Sequence, residues 1–61
     1  MKIKLNNREE EFAGDKLSVE EIIAVKSYVF KMLVVRLNDH LVKKDMYSST
    51  FVKDGDDLKV I

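Results

Sequence analysis

The sequence predicts an α+β domain in which one helix lies across one face of a sheet. Three observations carry that reading. Apolar and charged residues alternate at Met1–Leu5 and again at Leu58–Val60, a capped amphipathic helix opens at Val19, and Asn6-Asn7, Asn38-Asp39 and Asp54-Gly55 punctuate the segments between them. The order is strand, strand, helix, strand, strand, strand.

Met1, Ile3 and Leu5 alternate with Lys2 and Lys4, the period of two that belongs to a strand with one buried and one wet face. Asn tolerates positive φ, so Asn6-Asn7 reads as a two-residue hairpin turn that returns Arg8 to Phe12 antiparallel. Phe12 anchors the return strand, because Glu9, Glu10 and Glu11 have poor strand propensity. Ala13-Gly14-Asp15-Lys16 is the loop into the helix, with Gly14 available for an unusual backbone angle.

The helix start is encoded twice. Ser18 and Glu21 form an S-x-x-E capping box, and Leu17 and Ile22 occupy the two hydrophobic-staple positions. Glu20 and Glu21 also place negative charge in the first turn, where the helix dipole favours it. Val19, Ile22 and Ile23 make one apolar stripe, which Lys26 interrupts. The helix is therefore expected to end between Lys26 and Tyr28; the alternative lays the lysine stem along the core with its ammonium in water.

Val29–Leu37 is an apolar run that periodicity alone assigns to helix or strand. A single helix from Val19 to Leu37 would be apolar nearly all round, and Val29, Phe30, Val34 and Val35 are β-branched or aromatic. A central strand buried on both faces is expected instead. In it Leu33, Val35 and Leu37 face the helix, and Phe30, Met32, Val34 and Arg36 line the opposite face. After the Asn38-Asp39 turn, His40 to Lys44 forms a short strand with Leu41 as its core residue. Asp45 to Thr50 reads as a loop or single helical turn over Met46 or Tyr47, and Phe51-Val52 as a brief strand. Lys53-Asp54-Gly55-Asp56 is a tight turn with Gly55 at positive φ, feeding a last strand from Asp57 to Ile61.

Composition bounds the function. A domain of 61 residues buries only about 60% of the surface its unfolded chain exposes, so an enclosed catalytic cleft is hard to build. Without cysteine there is no disulfide framework or thiolate metal site, and a single histidine, His40, cannot supply a metal cluster or a nucleophile-base pair by itself. Eleven basic and eleven acidic residues cancel, which removes the electrostatic reason to expect nucleic acid or an acidic membrane as partner. No apolar run is long enough to span a bilayer and no signal peptide precedes the first strand, so the expected location is the cytoplasm.

Met1-Lys2-Ile3-Lys4-Leu5-Asn6, Leu17-Ser18-Val19, Leu37-Asn38 and Lys53-Asp54-Gly55-Asp56 resemble, in this order and over the whole chain, the ThiS family, the sulfur carriers of thiamin biosynthesis. The resemblance implies the ubiquitin-like β-grasp fold, a mixed sheet of four to five strands with one helix packed across one face, as a single domain over residues 1–61. It implies a protein cosubstrate and not an enzyme, with no cofactor of its own. In that family a C-terminal Gly-Gly is adenylated by a ubiquitin-activating-like enzyme, becomes a thiocarboxylate, and passes its sulfur to thiazole synthase. Glycine suits such a tail because it presents no side chain to a narrow partner site.

The sequence departs from the pattern there: it stops at Ile61 without Gly-Gly, its only glycines being Gly14 and Gly55. Either the natural chain continues to such a tail, which is the expectation, or this is a relative that carries no sulfur. No residue shown takes the catalytic role. The Asp-Gly-Asp turn also occurs in the sulfur carrier of molybdopterin synthesis, which keeps that pathway as one alternative. A β-grasp module that only binds proteins is another.

Phe30, Met32 and Val34 on the face away from the helix, joined by Ile61 if the last strand lies beside the central one, form a candidate docking patch for these partners. Arg36 and Lys59, with Lys2 and Lys4, rim it and could steer an acidic partner, although solvated cations on an open sheet face are the plainer reading. Glu9 to Glu11 fit an edge strand whose charge prevents edge-to-edge pairing. His40 reads as a solvated residue past a turn. Asp54, Asp56 and Asp57 lack the longer alternation and closing Glu of an EF-hand, and read as turn and capping residues.

Overall fold

Left-handed asparagines shape the framework. Asn6 and Asn7 (φ 51° and 67°) and Asn38 and Asp39 (φ 50° and 70°) supply the paired positive φ of two-residue hairpin turns. The computed structural model describes residues 1–29 and 32–61. Its elements are β1 (Lys2–Leu5), β2 (Arg8–Glu11), β3 (Lys16–Ser18), α1 (Val19–Val25), β4 (Val35–Leu37), β5 (His40–Val42), a 3₁₀ turn at Lys44–Met46, β6 (Phe51–Lys53) and β7 (Asp57–Val60).

The turns close the hairpins β1–β2 and β4–β5, and β7 joins them. The five-stranded order is β2-β1-β7-β4-β5, with β7 parallel to β1 and antiparallel to β4. Alternation sends Ile3, Leu5, Val35, Val42, Leu58 and Val60 to one face, where they meet Val19 and Ile22 of α1 and Val52 of β6. This is the mixed sheet with one helix across one face that the sequence leads one to expect.

The helix begins as its sequence dictates. Ser18 Oγ accepts from the Glu21 N–H at 3.0 Å and Glu21 Oε1 accepts from the Ser18 N–H at 2.9 Å. The Val19 and Glu20 N–H groups donate to Thr50 and Tyr47 carbonyls, so the segment before β6 completes the cap. At the other end α1 stops at Val25, one residue short of the expected range, with Lys26 as C-cap. Ser27 takes φ 56°, and the Ser27 and Tyr28 N–H groups donate to Ala24 and Ile23 carbonyls, which is a Schellman closure built on serine. Lys26 turns back to Glu10 with Nζ 2.8 Å from Oε2.

Four expectations are corrected. The long strand over Val29–Leu37 contracts to β4, whose pairing with β7 runs over Val35–Leu37, with Val34 bonded to Ile61 one step before it; Phe30 and Lys31 lie outside the described residues. That strand is also buried on one face only, since Arg36 and Val34 stand exposed where no element among the described residues covers them. Leu41 is 59% exposed and Val42 is the core residue of β5: the two-residue turn sets Leu41 opposite Arg36 and Val42 opposite Val35. Lys16–Ser18, read as loop and cap, is a strand that pairs with β6 in a separate two-stranded sheet, so the Phe51-Val52 strand lies outside the main sheet.

Candidate functional site at the end of β7

The outer face is built by strand register. Arg36 lies opposite Lys59 across β4 and β7. One step further the Val34 N–H donates to the Ile61 carbonyl at 2.7 Å and the Ile61 N–H to the Val34 carbonyl at 2.9 Å, so Ile61 joins the patch as expected. Exposure is 88% for Met32, 48% for Val34 and 74% for Ile61. Leu41, beside Arg36, extends the apolar surface, where the sequence predicts a core position. Phe30, the sixth expected site residue, lies outside the described residues.

Charge at this face is arranged along β7. Lys59 Nζ stands 3.8 Å from Asp57 Oδ2, leaving Arg36 as the exposed cation on the adjacent strand. Beside the end of β7 an open depression is lined by Asn6, Tyr28, Met32, Lys59 and Ile61, among others. Lys59 and Val60 at the C-terminal end of β7, and Ile61 after them, are part of that lining.

Asn6 is the residue that sequence reasoning missed. Its Nδ2 donates to the Val60 carbonyl at 3.0 Å and its Oδ1 accepts from the Val60 N–H at 2.8 Å. The signal was present in the turn: an Asn leading a left-handed pair also carries an amide able to bond a neighbouring strand. Asn38 repeats the device at the start of β7, with Oδ1 accepting from the Asp57 N–H at 2.9 Å and Nδ2 donating to Asp56 Oδ1 at 3.1 Å. Asp56 is buried and its Oδ2 accepts from the Lys53 N–H, which gives it the capping role read from the sequence.

Among the described residues no three His, Cys, Asp or Glu side chains converge as a metal cluster, and no helix is long and apolar enough to cross a membrane. His40 is exposed at the β4–β5 turn. Among the described residues Lys26 is the group whose ionisation is shifted: the hydrogen bond to Glu10 raises it above the ordinary lysine value, partial burial opposing.

The sequence matches the ThiS family profile over residues 3–61. The chain belongs to the ThiS family. A solved structure similar to it is the thiamine biosynthesis protein ThiS from Geobacter metallireducens, at a TM-score of 0.89 and 25% identity, covering 100% of this chain and 91% of that one. No curated protein sequence matches. The ThiS neighbour and the sheet order identify the fold as β-grasp, as the resemblance implied.

Proposed function

We propose that this ThiS-family chain is the sulfur carrier of thiamin (thiazole) biosynthesis, a cytoplasmic protein cosubstrate and not an enzyme. Family membership over residues 3–61 carries the reading. The direction of β7 supports it: the strand runs through the middle of the sheet and brings Ile61 out at an exposed edge of the apolar patch. In this account the natural chain continues past Ile61 to a Gly-Gly tail.

The tail's terminal carboxylate oxygen attacks the α-phosphorus of ATP on a ubiquitin-activating-like enzyme, forming the acyl adenylate and releasing pyrophosphate. A sulfide nucleophile then displaces AMP from the acyl carbon, leaving the thiocarboxylate that thiazole synthase consumes. Met32, Val34 and Ile61 form the apolar part of the docking surface, and Arg36 and Lys59 meet acidic groups on the partner. The neighbour's name, a thiamine biosynthesis protein, favours this pathway over the molybdopterin one.

The test uses the full-length protein with ATP and the adenylating enzyme from the same source. Pyrophosphate release that requires the carrier's terminal Gly-Gly is the expected result. An open reading frame that ends at Ile61, or no release by an intact tail, removes the carrier reading and leaves a β-grasp module that only binds proteins.

A further inference from the structure

We propose that Asn6 is a positioning residue for the terminal chemistry: its side-chain amide replaces a strand residue beside Val60 and so fixes the direction in which the chain leaves the sheet after Ile61. The inference rests on the sulfur-carrier reading above. The parallel ladder between β1 and β7 runs through the Lys4 N–H to the Asp56 carbonyl and the Asn6 N–H to the Leu58 carbonyl. The next rung would need main chain beside Val60, but at Asn6 the backbone turns away at φ 51° into β2. The amide fills that rung from the same residue, donating through Nδ2 and accepting through Oδ1, as a peptide group would.

The last two residues are thereby held from opposite sides. Val60 is bonded to Asn6 on the β1 side, and Ile61 is bonded twice to Val34 on the β4 side. A strand end held on one side can swing about that hinge; one held on both sides has a single exit direction. The clamp also sits in the wall of the open depression, next to the Met32 and Ile61 side chains of the docking surface. Docking and tail direction are therefore set by adjacent groups, and a tail that must reach a reacting phosphorus depends on where its root points.

Asn6→Gly is the decisive variant, because glycine accepts the left-handed backbone and only the amide is lost. Asn6→Asp keeps the acceptor for the Val60 N–H and removes the donor. Both are made in the full-length carrier, and hydrogen exchange at Val60 is measured alongside pyrophosphate release at varied carrier concentration. For Asn6→Gly the expected result is faster exchange at Val60 with Leu58 still protected, KM within about twofold of the parent and kcat lower by about tenfold, since small misplacements of a reacting group carry large rate effects. Asn6→Asp should fall between the two.

Unchanged kcat despite faster Val60 exchange would overturn the inference, as would a raised KM at unchanged kcat, which would make Asn6 a partner contact. Unchanged exchange at Val60 would show that the amide does not hold the strand. A parent protein that releases no pyrophosphate would instead overturn the carrier reading, so the two failures are told apart.

Discussion

The two ends of β7 are tied down by the same kind of residue in different company. At its start Asn38 bonds the Asp57 N–H and the buried Asp56 carboxylate, Asp56 in turn bonds the Lys53 N–H, and the turn that follows is fixed to β1 through Lys2 and Lys4. At its end the Asn6 side chain bonds Val60, and Val34 bonds Ile61 across the strand. One end is a closed polar network in which each member holds another; the other is a single amide beside an open depression. The contrast separates what keeps the strand in the sheet from what aims the residues leaving it.

Between the two ends lies Leu58, fully buried among the core residues. Leu58→Ala should lower unfolding free energy by about 2–5 kcal/mol and loosen both ends alike, read from urea denaturation with hydrogen exchange. Asp56→Ala should cost about 1–3 kcal/mol, because the Asn38 amide and the Lys53 N–H lose their acceptor in a buried setting. Asn6→Gly should cost less, about 0.5–1.5 kcal/mol, since the bonds lost at Val60 are those of a neutral amide and not of a charged carboxylate. Equal losses for Asp56→Ala and Asn6→Gly in paired urea titrations would erase the contrast.

Ser27 sharpens it from another direction, as a left-handed residue whose backbone alone closes the helix. Ser27→Gly should therefore stabilise the fold by roughly 0.5–1 kcal/mol, seen as a higher denaturation midpoint. Asn38→Gly, at a similar φ, should destabilise because its amide is engaged at both atoms.

The smallest effect is the alkaline one. Lys26 is raised by Glu10, so its folded-state pKa lies above the unfolded value. Its contribution is then fully present below the unfolded lysine pKa and is lost as pH rises through the folded one. Stability measured from neutral pH to above the lysine range should fall on the alkaline side, and Lys26→Gln should flatten that limb without favouring either end of β7.

Local rules made much of this architecture legible. The Ser18–Glu21 box needs only residues three apart, and the hairpin turns need only Asn pairs, so the helix start and both hairpins could be read directly. What depended on distant partners could not. β3 exists because β6 lies beside Lys16–Ser18, and the bounds of β4 follow its pairing with β5 and β7. Leu41 and Val42 differ by one step of register, which decides core against surface and is set by the turn.

Of the candidate site, Arg36 and Lys59 stand opposite each other on exposed positions as strand alternation leads one to expect, whereas Met32 is exposed outside any strand and Ile61 meets Val34 through the pairing of β7 with β4. Asn6 could not be read in this way, since its role requires knowing that β7 returns parallel to β1 more than fifty residues later in the chain.

Carriage of sulfur by the chain beyond β7 is what separates a carrier from a module that only binds proteins. The most direct test is intact-protein mass spectrometry of the full-length carrier after incubation with ATP, sulfide and its adenylating enzyme. The expected product has a mass corresponding to sulfur in place of one terminal oxygen. An unchanged mass, under conditions in which the enzyme thiocarboxylates another carrier, would contradict it.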